Sequence, residues 1–155
     1  MRHIGLFGGT FNPVHNGHLL AAQAVLEQLN LDEVRFLPAS HSPFKDKPEL
    51  DDRHRMAMLE RALAPYPLFS IDQRELTTQG PSYAINTLRQ TLSEQGGNQF
   101  YLLVGMDAWE HFESWREWQS IMQLCHLVIM TRPGYTPARL TEYWQETGER
   151  PRRST

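Results

Sequence analysis

The chain has one cysteine, Cys125, among 155 residues. No internal disulfide can form, and a reducing compartment is the expectation. Nothing approaches the ~20 consecutive apolar residues that cross a bilayer. The opening MRHIGLFGGT has an apolar run too short for a signal peptide and turns at once on glycine. The cytoplasm is therefore the expected location, with no membrane partner. Positive charge is not in excess either. A formal charge of −3 argues against general nucleic-acid binding, though a local cluster of donors can still hold a small anion. Two phosphate motifs are absent, GxGxxG and GxxxxGK[ST], which counts against dehydrogenase and P-loop chemistry. No protein metal site is expected, because no third and fourth ligand stand at zinc-binding spacing. Cys125 itself, near Leu124 and Leu127, reads as a buried core thiol.

What is present is a globular composition, 40% hydrophobic and 21% charged, in a length suited to one domain. Short apolar runs alternate with helical patterns. Strands are expected at His3–Phe7, Val34–Leu37, Leu68–Ile71, Phe100–Val104 and Leu127–Met130. Helices are expected over 16–29, 52–64 and 82–95, with apolar residues such as Leu19, Ala22, Leu26 and Leu29 at helical spacing. Continuous apolar strands between helices indicate a parallel sheet covered on both faces. The fold class is thus α/β: a Rossmann-like, doubly wound parallel sheet in a single domain. From Arg132 onward prolines, glycines and terminal arginines change the character of the chain. The expected division is an α/β domain over 1–134 and a loosely held C-terminal region over 135–155, with a short helix near Leu140–Glu146.

The chemistry concentrates in GGTFNPVHNGH, residues 8–18. It follows the first strand and opens the first helix, which places it at the carboxyl edge of the sheet, where ligands bind. Gly8 and Gly9 allow a sharp turn and close approach to a bulky anion. Asn16 is the expected N-cap, with the first-turn N–H groups aimed at the same space. His15 and His18, three apart, can both present N–H groups to a phosphate.

These residues resemble the signature of the nucleotidyltransferase superfamily with an (H/T)xGH motif. Further segments narrow the resemblance to bacterial nicotinate-nucleotide adenylyltransferases. They are LPASHSPFK at 37–45, HRMAML at 54–59, GPSYAINTL at 80–88, LLVGMDAWEHFESWREW at 102–118 and VIMTRPG at 128–134. The resemblance implies transfer of AMP from ATP, accompanied by Mg2+, to nicotinate mononucleotide, giving deamido-NAD and pyrophosphate. It implies that Gly8, Gly9, Thr10, Phe11, His15, His18, Gly105 and Arg132 bind ATP, with His15, His18 and Lys45 catalytic. Ser82, Tyr83, Ala84, Asp107 and Trp115 would receive the second substrate. Three tryptophans, Trp109, Trp115 and Trp118, crowd one segment; Trp115 suits stacking on a pyridine ring, while Trp109 and Trp118 read as packing residues. A phosphate oxygen is ionised at neutral pH, so the reaction needs positioning and charge stabilisation and no general base. Nicotinamide mononucleotide and phosphopantetheine stand as alternative acceptors, a nucleotide-binding module without turnover is the reading from another class, and a homo-oligomer is left open.

The family pattern differs at three places. Phe44 stands where PPH(K/R) has histidine, and Ala84 stands where SYT has threonine. Members are usually longer and carry a C-terminal SxTxIR-type segment, whereas this sequence ends at Arg153-Ser154-Thr155. The expectation is a chain that folds but catalyses poorly.

Overall fold

The computed structural model describes residues 1–9, 11, 13–39, 51–76 and 83–130, apart from the side chain of Asp107. Five strands, β1 (His3–Gly9), β2 (Glu33–Pro38), β3 (Phe69–Ile71), β4 (Gln99–Gly105) and β5 (His126–Met130), form one sheet in the order β3-β2-β1-β4-β5. Every neighbouring pair is parallel. The helices are α1 (Asn16–Gln28), α2 (Asp52–Leu63), α3 (Ala84–Gln95), α4 (Met106–Glu110) and α5 (Trp118–Leu124).

Strand alternation sends side chains to two separate cores. Ile4, Leu6, Phe100, Leu102, Val104, Leu127 and Ile129 meet Ile85 and Leu88 of α3 and Ile121 of α5 on one face. Phe7, Val34, Phe36, Tyr101, Leu103 and Val128 meet α1 and α2 through Leu19, Ala22, Leu26, Leu59 and Leu63 on the other. Burying each large aliphatic or aromatic side chain contributes roughly 1.5–3 kcal/mol. The two covered faces explain why the strands are apolar throughout. The doubly wound arrangement is as the sequence predicts, and Cys125 is buried.

The strand order reverses at β1. From β1 the chain winds through β2 to β3 at one edge, then returns to β4 on the other side. Phe7 of β1 pairs with Leu103 of β4, so the carboxyl ends of these two strands lie side by side, the usual place for a ligand in an open α/β sheet.

Several boundaries differ from the expectation. β1 continues through Gly8 and Gly9, which pair with Leu37 and Pro38. β3 begins at Phe69, one residue later than expected. α4 and α5 span five and seven residues, too short for a periodic apolar pattern to announce them. The region 135–155 and its expected short helix lie outside the described residues.

Candidate active site

β1 delivers Gly8, exposed, and Gly9, half-buried, to the carboxyl edge of the sheet. The Ala39 N–H donates to the Gly9 carbonyl at 2.9 Å. The Ala39 carbonyl in turn accepts from Arg55 Nη1 at 2.6 Å. Arg55 is 1% exposed and is ion-paired to Asp52. A buried arginine on α2 thus holds the end of β2, which holds the end of β1. Phe11 sits in the left-handed region at φ 46°, an uncommon conformation for a bulky residue. Its ring is buried, with Phe7 at 5.4 Å and Phe36 at 5.5 Å between centroids, and it meets the His18 ring edge-on at 5.0 Å. The Phe11 side chain therefore packs against His18 and the aromatic core.

The start of α1 corrects one expectation. The N-cap is His15, with extended backbone, and Asn16 is the first helical residue. The His15 Nδ1 accepts from the Gly17 N–H at 3.1 Å, and the His18 Nδ1 accepts from the His15 N–H at 3.0 Å. The His18 N–H goes to the His15 carbonyl at 3.0 Å. The amides of Gly17 and His18 are therefore already used and are not free for an anion. The donors that remain on the two side chains are the imidazole N–H groups. With Nδ1 accepting, each neutral ring carries its proton on Nε2. The rings stack with centroids 3.7 Å apart. Burial, followed by the neighbouring His15, lowers the His18 pKa from 6.5 to about 4. His18 is consequently a neutral donor at physiological pH.

Gly17 makes this fold-back feasible, a role absent from the sequence reading. A Cβ there would lie 2.8 Å from His15 Cε1 and 2.9 Å from His15 Nδ1, too close for any real contact. The signal was the single glycine between the two histidines.

Residues from the opposite face of the sheet approach the end of β4. Gly105 caps α4, and Asp107 lies within that helix. Tyr83 is the N-cap of α3 and makes no side-chain capping bond, with Ala84 first in the helix. Trp115 is half-buried, its ring 5.0 Å from that of Phe112, and Trp109 and Trp118 pack on the same core as expected. Arg116, also missed from sequence, places its guanidinium carbon 3.7 Å from the centroid of the Tyr83 ring. Next to it, Glu117 has φ 51° and accepts from Arg89 Nη2 and Nη1 at 2.8 and 2.9 Å. That bidentate pair ties the Trp115–Glu117 segment to α3.

Thr10, Lys45, Ser82 and Arg132 lie outside the described residues. Among the described residues, no group of three or more His, Cys, Asp or Glu side chains could hold a metal ion. No described helix is long and apolar enough to cross a membrane.

Comparison with known proteins yields a match to the cytidylyltransferase-like family over residues 6–155. A relative from Pseudomonas paraeruginosa, named "Probable nicotinate-nucleotide adenylyltransferase", is 41% identical over 133 residues, 85% of this chain and 62% of its own length. One of the same name from Acidithiobacillus ferrooxidans is 39% identical over 137 residues, covering 88% and 63% of the two chains. This chain thus spans less than two thirds of the length of these relatives. Among solved structures, a Vibrio parahaemolyticus protein superposes with a TM-score of 0.73 at 14% identity, covering 97% of this chain and 90% of its own. The Plasmodium falciparum nicotinic acid mononucleotide adenylyltransferase complexed with NaAD has a TM-score of 0.67 at 16% identity, covering 88% and 78%. The fold is shared at these low identities.

Proposed function

The chain belongs to the cytidylyltransferase-like family, and we propose that it transfers the AMP moiety of ATP to nicotinate mononucleotide, forming deamido-NAD and releasing pyrophosphate. The observation that carries this reading is the stacked His15–His18 pair, with both Nδ1 atoms engaged by backbone amides at the topological switch point. Two imidazole N–H donors, that of His18 on a neutral ring, suit a phosphate whose charge grows during the reaction. The 41% identity to the Pseudomonas paraeruginosa relative supports the choice of acceptor.

A phosphate oxygen of the mononucleotide attacks the α-phosphorus of ATP. The new O–P bond forms as the bond to the β-phosphate oxygen breaks, and pyrophosphate leaves with that electron pair. No proton need be removed from the nucleophile. Gly8, Gly9, Thr10 and Phe11 contribute to holding ATP. His15 and His18 donate to the α-phosphate, and Lys45 and Arg132 supply positive charge to the remaining phosphates. Gly105 lies beside the nucleotide. Ser82, Tyr83, Ala84, Asp107 and Trp115 form the acceptor side, with Trp115 stacking on the pyridine. Magnesium fits as an ion carried by ATP: the described side chains offer no carboxylate cage, and phosphate oxygens and water are its natural ligands. When bound it neutralises phosphate charge. The reaction belongs to the cytoplasm, residues 1–134 carry it, and no nucleic acid or membrane takes part.

The test is pyrophosphate release from ATP with nicotinate mononucleotide, with nicotinamide mononucleotide and with no acceptor. Release that depends on the acid supports the reading. Release with neither mononucleotide, or with the amide alone, overturns it.

A further inference from the structure

We propose that Arg116 is a specificity-determining residue whose guanidinium, laid on the Tyr83 ring beside Trp115, makes the acceptor side select an anionic aromatic ring over its neutral amide. The inference rests on the function proposed above and adds a residue and a physical cause to it.

Three observations carry it. Arg116 is exposed, stacks 3.7 Å from the Tyr83 ring centroid and forms no ion pair with any other described residue. The nearest acid in sequence, Glu117, has both carboxylate oxygens hydrogen-bonded to Arg89, so its bonds go to Arg89 while it acts on Arg116 only through its charge. The same Arg89–Glu117 pair, with Glu117 held at φ 51°, anchors the segment bearing Trp115 and Arg116 against α3. Among the described residues the guanidinium is thus stacked on a ring without a salt bridge of its own, on a segment held in place.

A stacked guanidinium keeps its N–H edge available, because the contact with the ring uses only its face. That edge can donate two parallel hydrogen bonds to a planar carboxylate. A carboxamide carries no charge and presents one oxygen with an NH2 group that repels the guanidinium N–H atoms. On this proposal the ring that stacks on Trp115, the chain neighbour of Arg116, turns its substituent to this edge, and the substituent's charge then decides affinity. The alternative, that Arg116 merely covers Tyr83 at the surface, predicts a small effect on stability and none on selection.

The experiment is equilibrium titration of the full chain with nicotinate mononucleotide and nicotinamide mononucleotide, followed by calorimetry and by tryptophan fluorescence, for the unsubstituted protein, Arg116→Gln and Arg116→Lys. Binding is read directly, so turnover is not required. Arg116→Gln should weaken the acid about 10- to 100-fold, the usual scale for a lost hydrogen bond to a charged partner. It should leave the amide within about twofold and the thermal midpoint unchanged, and Arg116→Lys should restore part of the preference. Equal weakening of both ligands, or no change in the acid, overturns the inference while the proposed function stands. If the unsubstituted protein binds neither mononucleotide, the proposed function falls and the inference falls with it.

Discussion

Substituting Gly17→Ala separates the histidine cap from the stability of α1. Gly17 is not held at positive φ, so alanine fits its backbone, and the helix gains up to about 1 kcal/mol of propensity. The added methyl would stand 2.8 Å from His15 Cε1. That atom is at the end of a rotatable side chain, so the ring swings out and the backbone stays. The bond from the Gly17 N–H to His15 Nδ1 is then lost, at a cost of about 0.5–2 kcal/mol. The two effects nearly cancel, leaving a net change within about 1 kcal/mol, or a few degrees in midpoint for a domain of this size. Function should not cancel. The displaced His15 no longer stacks on His18, and one donor to the transition state is lost, which typically lowers the rate on the order of 100-fold. The His18 pKa should rise as the His15 ring moves away. Pyrophosphate release, thermal unfolding and imidazole titration by NMR measure the three quantities. Undiminished turnover with an unchanged His18 titration would refute the reasoning. Loss of more than about 3 kcal/mol would refute it differently, by showing that the backbone, and not the ring, gave way.

Three further outcomes are expected. His18→Ala should lower turnover on the order of 100-fold while changing ATP affinity much less; equal losses in rate and binding would mark a purely structural residue. Because folding depresses the His18 pKa from 6.5 to about 4, the unfolded chain takes up the proton first as pH falls. This contribution to stability is complete above about pH 6.5 and is lost as pH falls toward 4. Fully expressed the effect would be roughly 3 kcal/mol, and solvent screening at the half-exposed ring reduces it to about 1–2 kcal/mol. Denaturant unfolding between pH 4 and 7, for the unsubstituted protein and His18→Ala, checks this: the two pH slopes should differ. Arg55→Ala should destabilise the fold by about 2–4 kcal/mol, since it strips the donor from the buried Ala39 carbonyl and empties a packed site. A cost below about 1 kcal/mol in denaturant unfolding would contradict the proposed hold of α2 on the two strand ends.

Much of the fold was legible because the signals are local. Five apolar runs separated by helical periods define a parallel sheet, and the Gly8-Gly9 turn before a helix marks its ligand edge. What escaped is tertiary. His15 displaces Asn16 as the cap because an imidazole can fold back over the helix only where Gly17 leaves room, a steric fact visible once the ring is placed. α4 and α5 escaped because helices of five and seven residues lack two full turns of pattern. Arg116 escaped because its partner Tyr83 belongs to another helix and nothing in WREW points toward it. Phe11 was placed among the ATP ligands by motif, and the motif gave no sign that its buried ring packs against His18.

The correction at the helix start changes the physical picture of the grip. A helix N-terminus ordinarily attracts phosphate through its own free amides. Here the Gly17 and His15 amides donate to Nδ1 atoms, and each ring passes a donor on from Nε2. Polarisation along such a chain strengthens the outer bond, so the imidazoles extend the positive end of α1 by the width of a ring. Extension also explains why His18 should stay neutral. Protonating Nδ1 would turn an acceptor into a donor facing the His15 N–H, and the cap that orients the ring would break. A cationic His18 would attract phosphate in the ground state and the transition state alike, whereas a fixed neutral donor responds to the charge that develops. Catalysis depends on that difference and gains nothing from equal binding of both states.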